Sequence, residues 1–177
     1  MGLPVPSPAV PVVLRDMTAA DLAAVSGWFA DPETIRWLGG YDWPRRLLEL
    51  AARSPDRFAL AGVRAGAIVG VLDVERAGDG RADVALVVAP AERRAGVATG
   101  MIRALLEHSA LAGVVEVRAG VETGNAASEA LVRRAGFEPV ADGPDAEGFV
   151  YFVRRTDATR PAWPSDATGR RTGDAAT

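Results

Sequence analysis

The sequence predicts an α/β (α+β) domain built on a mixed, mostly antiparallel sheet of six to seven strands with helices on both faces. Two observations carry this reading. Short apolar runs that read as strands alternate with stretches whose apolar residues recur at helical spacing. In the middle of the chain, three such runs follow one another across tight glycine turns, a spacing that only antiparallel neighbours allow. The 177 residues, 49% hydrophobic and 24% charged, suit one compact domain with a core of its own.

Val12-Val13-Leu14-Arg15 reads as a first strand. Thr18 to Asp21 then offers a capping box with Asp at its fourth position in place of the preferred Glu. The helix that follows carries Leu22, Val25 and Phe29 and ends at Asp31-Pro32. A second helical piece includes Ile35, Trp37 and Leu38 and is broken by Gly39-Gly40; another runs from Pro44 to Arg53. Strands follow at Arg57–Arg64, Ala67–Glu75 and Ala82–Ala89, joined by Ala65-Gly66 and Gly78-Asp79-Gly80. After Pro90 the period changes: Val97, Met101 and Leu105, with Ile102 and Leu106, mark one face of a helix that Gly113 can terminate. Val114–Val121 is a strand, Asn125 an N-cap, and Ala126–Ala135 a helix ended by Gly136. Phe137–Val140 and Phe149–Arg154 close the pattern as strands around an Asp-Gly-Pro turn.

The flanks differ from this ordered stretch of residues 12–156. Four prolines between Pro4 and Pro11 predict a flexible leader over residues 1–11, and the Pro- and Gly-containing stretch 157–177, with Trp163, predicts a disordered tail. Neither a signal peptide nor a run of transmembrane length is present, so a cytoplasmic protein is expected. The formal net charge of −3 argues against a general nucleic-acid binder. With no cysteine and one histidine, His108, no metal site and no thiol nucleophile are expected. His108, near a helix end, reads as structural or exposed.

The chemically informative stretch runs from Val87 to Thr99. A strand ends at Pro90, and an arginine-rich turn with a glycine leads straight into an amphipathic helix. Free amides at a helix start, with the positive end of its dipole, bind anions such as a pyrophosphate. Gly96 and Ala98 keep bulk low where a ligand approaches the backbone, and Arg93 and Arg94 can add charge-assisted hydrogen bonds. A nucleoside-triphosphate P-loop would need a lysine, and the chain has none. A dinucleotide fingerprint needs three glycines, and after Gly78-Asp79-Gly80 the third position holds Asp83.

Arg93-x-x-Gly96-x-Ala98 after Val88-x-Pro90 resembles the acyl-CoA motif of the GNAT N-acetyltransferase superfamily. Asn125-Ala126-Ala127-Ser128, followed by Arg134-Ala135-Gly136-Phe137, is similar to the Asn-x-x-Ser … Lys-x-Gly-Phe signature of the same superfamily, with Arg for Lys. Leu14 to Leu22 resembles its first strand and helix, so the resemblance covers about residues 12–156. It implies the GNAT fold and acetyl-CoA as cosubstrate, in a protein acting as monomer or homodimer. Leu86, Val87 and Val88 would lie where their strand splays from its neighbour and pair with the pantetheine arm. The amides of Arg94, Ala95, Gly96, Val97, Ala98 and Thr99 would cradle the pyrophosphate. Asn125 would contact the pantetheine or acetyl end, and Ser128 the nearby cofactor.

Direct transfer to an amine requires its neutral form, so a carboxylate must accept a proton. Asp83 matches the place where relatives carry a Glu and is preferred, followed by Glu75, with Asp73 on the same face as Glu75. Relatives often place a tyrosine four residues after the serine as general acid; here Val132 stands there, leaving Tyr151, a water or an unassisted thiolate. Trp28, Trp37 and Trp43 either fill the core or wall an acceptor pocket. The stretch from Trp28 to Gly40 resembles ribosomal-protein N-terminal acetyltransferases of the RimJ/RimL type and aminoglycoside acetyltransferases. The acceptor implied is therefore a protein N-terminus or a small-molecule amine such as an aminoglycoside. Two alternatives stay open: a non-catalytic acyl-CoA-binding regulatory module, and a structural domain with a coincidental motif.

Overall fold

A computed structural model describes residues 10–141 and 143–156. The leader up to residue 9, Asp142 and the tail from 157, including Trp163, lie outside the described residues.

The sheet has seven strands in the order β1-β2-β3-β4-β5-β7-β6. These are β1 (Val13–Asp16), β2 (Arg57–Arg64), β3 (Ala67–Arg76), β4 (Arg81–Val88), β5 (Glu116–Glu122), β6 (Glu138–Pro139) and β7 (Phe149–Arg155). All neighbours pair antiparallel except β4 and β5, which are parallel because a helix, α4 (Val97–Leu106), crosses between them. Three helices, α1 (Leu22–Gly27), α2 (Pro32–Leu38) and α3 (Trp43–Arg53), lie between β1 and β2, and α5 (Ala126–Arg134) follows β5.

The helices divide the core in two. On one face, Val25 of α1 and Leu47 and Ala51 of α3 pack on Met17, Ala59, Ala61, Val71 and Val87. On the other, Val97, Met101, Ile102 and Leu105 of α4 and Val132 of α5 pack on Leu60, Leu72, Val74, Val117 and Phe152. Central β3 is covered on both faces, so Val69 to Asp73 is buried without alternation. A register shift between Gly62 and Val63 leaves Val69 with no opposite residue on β2.

The capping box at Asp21 forms. Its carboxylate accepts the Thr18 N–H at 2.8 Å, and Arg15 grips it with two hydrogen bonds of 2.7 and 2.8 Å. Hydrogen bonding by Arg15 outweighs burial and lowers the Asp21 pKa from 3.8 to about 2. A carboxyl group whose pKa falls on folding stabilises fully above its unfolded value and loses that contribution as pH drops through the folded one. The Arg15–Asp21 pair should therefore contribute about 1–2 kcal/mol at neutral pH, vanishing between pH 4 and 2, after discounting for the half-exposed arginine. Asp21→Asn should flatten the acid limb of a pH series of urea midpoints in that window; an unchanged limb would refute the assignment.

Three local expectations are corrected. The first helix stops at Gly27 and gives way to a 3-10 turn, Trp28–Ala30, so Asp31 both ends it and caps α2, accepting the Thr34 N–H at 2.9 Å. Helix α4 ends at Leu106 rather than running to Gly113: extended His108 breaks it, and its Nδ1 accepts the Ala110 N–H at 3.1 Å to start the turn Ser109–Leu111. Strand β6 is cut to two residues. Before β7 the chain turns at Asp145 to Gly148, where the Asp145 carboxylate accepts the amides of Glu147 and Phe149 at 2.9 Å; the expected Asp-Gly-Pro turn includes Asp142, which lies outside the described residues.

Candidate active site

Strands β4 and β5 pair only over Arg81↔Glu116, Ala82↔Val117 and Asp83↔Arg118. Beyond Asp83 they separate, and Val84 to Val88 have β3 as their strand neighbour on one side alone. The expectation that Leu86, Val87 and Val88 lie on a splayed edge describes this geometry. An unpaired parallel edge is a ready template for an extended ligand with amide groups of its own.

The open edge leads to the turn before α4. Arg94 and Gly96 both have positive φ, 61° and 76°, and Gly96 is the N-cap, so no side chain competes for the first-turn amides. Among the described residues, none of the six amides from Arg94 to Thr99 donates a hydrogen bond; the next, Gly100, donates to the Gly96 carbonyl at 3.0 Å. Six free donors at a helix start form an anion cradle.

Two arginines hold this turn from opposite sides. Arg64 at the end of β2 pairs with Glu92 and donates to the Ala95 carbonyl at 3.3 Å. Arg93, expected from its position to reach a phosphate with its side chain, is directed elsewhere: its guanidinium meets Asp31 at 2.7 Å, Glu33 at 2.9 Å and the Thr34 hydroxyl at 2.7 Å. Among the described residues of this turn, exposed Arg94 is the arginine without an ion-pair partner. Sequence reasoning missed Asp31, Glu33 and Arg64, because partners some 60 and 30 residues away leave no local spacing signal.

The carboxylates line up on the α1–α3 face where the strands part. Arg57, Glu75, Asp83 and Arg118 occupy consecutive register positions across β2, β3, β4 and β5. Asp83 pairs with Arg118, whose guanidinium lies 4.9 Å over the Tyr151 ring. Of the three expected catalytic residues, Glu75 and Asp83 therefore fall in this row at the vertex of the split, while Tyr151 stands opposite Gly120, two residues along β5 from Arg118, and meets the row through that arginine. Asp73 is the most buried of the carboxylates here and is held by Arg57 at 3.0 and 2.6 Å; Arg57 also reaches Glu75 at 3.0 Å. Arg57–Asp73 forms part of a cavity of about 220 Å³ whose opposite wall is Gly39, Asp42, Trp43 and Arg46. Trp43 stacks on buried Phe29 at 5.9 Å and also lines this cavity. Trp28 packs on the core, and Trp37 carries Arg36 at 4.5 Å.

On the other side of the split, Asn125 follows the end of β5. Its Oδ1 accepts the Ser128 N–H at 3.1 Å, while its own N–H and carbonyl bond Glu122 and Glu129, both at 3.0 Å. Among the described residues its side-chain amide nitrogen keeps its donors free. Val132 is buried in the core, so α5 sends no hydroxyl from that position. Among the described residues, no group of three or more His, Cys, Asp or Glu could hold a metal ion, and no helix is long and apolar enough to cross a membrane.

Comparison with known proteins agrees with this geometry. Residues 12–138 match the model of the acetyltransferase (GNAT) domain. No curated protein matches the sequence. Among solved structures, the chain resembles the aminoglycoside acetyltransferase AAC(6')-Ib in complex with coenzyme A, at 20% identity and TM-score 0.69 over 81% of this chain and 94% of that one. It also resembles spermidine N-acetyltransferase from Vibrio cholerae in complex with CoA and spermine, at 12% identity and TM-score 0.70 over 82% and 96%. A third is ribosomal-protein-alanine N-acetyltransferase from Brucella melitensis, at 23% identity and TM-score 0.62 over 81% and 99%. At these identities the likeness is one of fold. The domain match spans most of the chain, and its motif residues line the split between β4 and β5: the chain belongs to the GNAT acetyltransferase family.

Proposed function

We propose that the chain transfers the acetyl group of acetyl-CoA directly to a primary amine in the cleft between β4 and β5. The observation that carries this reading is the parted edge of β4 running into six unpaired amides at the start of α4. The pantetheine arm adds to the edge at Leu86, Val87 and Val88, its pyrophosphate lies on Arg94 to Thr99, and the Asn125 side-chain amide and Ser128 face it from the β5 side. The thioester then reaches the vertex, beside Asp83 and Glu75.

There Asp83 takes the proton of the attacking ammonium, directly or through water, with Glu75 as second candidate. The neutral amine attacks the thioester carbonyl, the C–S bond breaks, the nitrogen gives its second proton to water, and the thiolate takes one from water or from Tyr151, which recovers it from solvent. Arg118, bonded to Asp83 and stacked on Tyr151, keeps both in one geometry. The relatives named above act on aminoglycosides, on spermidine and on a ribosomal-protein alanine. Here Asp73 and Glu75 share Arg57 and Asp83 holds Arg118, so among these groups a single negative charge is left uncompensated, enough for one cation but not for a polycation. That favours an acceptor with a single reacting amine, such as a protein N-terminus, over an aminoglycoside.

The test is free-thiol release from acetyl-CoA with a panel of N-terminal peptides, monoamines, polyamines and aminoglycosides. Turnover is expected, fastest with a peptide or monoamine, and Asp83→Asn should lower kcat by about 100-fold. Tight coenzyme A binding without turnover on any amine would instead establish the regulatory module that buried Val132 leaves open.

A further inference from the structure

Arg93 occupies the first position of the cofactor-loop motif, yet its side chain leaves the loop. It crosses to the first turn of α2 and meets three groups there: the Asp31 carboxylate, the Glu33 carboxylate and the Thr34 hydroxyl. Asp31 is also the N-cap of α2, taking the Thr34 N–H and hydroxyl at 2.9 and 3.0 Å, so one carboxylate starts the helix and anchors the arginine. Arg93 and Asp31 are each about 70% shielded from solvent, so this contact is less screened than an ordinary surface pair. Hydrogen bonding from Arg93 is the largest cause holding the Asp31 carboxyl below its ordinary range.

What lies at each end of the bridge gives it meaning. One end is the turn whose amides from Arg94 to Thr99 await an anion. The other end is a seven-residue helix that runs into Gly39, at φ +85°, and then into Gly40, Asp42 and Trp43, which wall the cavity opposite Arg57–Asp73. So short a helix has little stability of its own and takes its position from tertiary contacts. Near Thr34 that contact is Arg93, and Thr34 is buried, 2% exposed.

We propose that Arg93 is a positioning residue that couples the cofactor cradle to the acceptor wall: an anion seated on Arg94–Thr99 fixes the turn, and through Asp31, Glu33 and Thr34 fixes α2 and the segment from Gly39 to Trp43. This rests on the acetyltransferase reading of the cradle and adds to it a direction of influence. Cofactor occupancy orders the acceptor side, and by reciprocity an ordered acceptor side tightens the cofactor.

The experiment uses coenzyme A as the probe and hydrogen exchange with mass spectrometry as the readout. In the wild-type chain, coenzyme A should slow exchange at Arg94–Gly100 and, over a bridge with no ligand contact of its own, at residues 31–43. The double variant Asp31→Asn with Glu33→Gln removes both charges facing Arg93 and keeps a good N-cap, so α2 still forms. It should bind coenzyme A within about threefold of wild type by calorimetry, while coenzyme-dependent protection of residues 31–43 falls by roughly half or more. Arg93→Lys, which keeps the charge and loses the fork, should lie between the two. A merely structural bridge would raise exchange in the free protein and leave the coenzyme-dependent difference intact; that result, or wild-type protection confined to the cradle, overturns the proposal. Absence of coenzyme A binding by the wild-type chain overturns the acetyltransferase reading and the coupling with it.

Discussion

Replacing Gly96 by glutamate weakens coenzyme A binding by about 100-fold, or about 2.7 kcal/mol, while the chain still folds. Two effects add. Gly96 sits at φ +76° and ψ 4°, a left-handed conformation that costs a residue with a Cβ about 1–2 kcal/mol. A carboxylate at this N-cap then competes for the amides of Arg94 to Thr99 and repels the pyrophosphate they are placed to hold. Folding survives because a Cβ at Gly96 meets no atom within 4 Å, so nothing in the core is displaced. Gly96→Ala separates the contributions: it carries the backbone cost without the charge and should bind only a few-fold more weakly. Calorimetric titration with coenzyme A measures both, and equal affinities for wild type and Gly96→Glu would remove the cradle from the site.

Gly70→Ala should cost about 2 kcal/mol of stability, seen as a fall of about 6 °C in melting temperature. A Cβ at Gly70 runs into the Met101 sulfur and comes within 2.8 Å of the Val87 carbonyl oxygen. The thioether can turn aside, but the carbonyl belongs to the β3–β4 ladder and cannot. Gly62, opposite Gly70 on β2, also faces Met101, with a Cβ there 2.9 Å from the thioether. These two glycines form the trough in which α4 lies against the sheet, and α4 carries the cradle. Met101→Ala alone should cost about 3 kcal/mol, because this fully buried side chain fills the trough. The double variant should lose less than the sum, since the methionine no longer opposes the new methyl while the Val87 carbonyl still does. Additive losses would show that the two positions do not share the trough.

The order of elements was legible in the sequence because each has a local cause. Short apolar runs between glycine turns mark β2 to β4, helical spacing marks α4, and Asn125 announces α5 from one side-chain acceptor. The errors were also local. His108 and Asp31 use their side chains to stop or start a helix in ways that apolar periodicity does not register.

Sequence alone determined the family-bearing segment, from Val88-x-Pro90 through Gly96 and Ala98 to Asn125 and Phe137. An anion cradle at a helix start is a property of contiguous backbone, and contiguous residues spell it out. The tertiary structure alone decided which charges stand next to which. The row from Arg57 to Arg118 joins four strands by register, and Arg93 leaves its own loop for Asp31 and Glu33 across 60 residues or more of chain. An ion pair needs only a few ångströms of space and no fixed separation in sequence, so its partners are chosen by how the sheet and helices pack. That is why Arg93 reads in the sequence as one more phosphate ligand and stands in the structure as a bridge to α2.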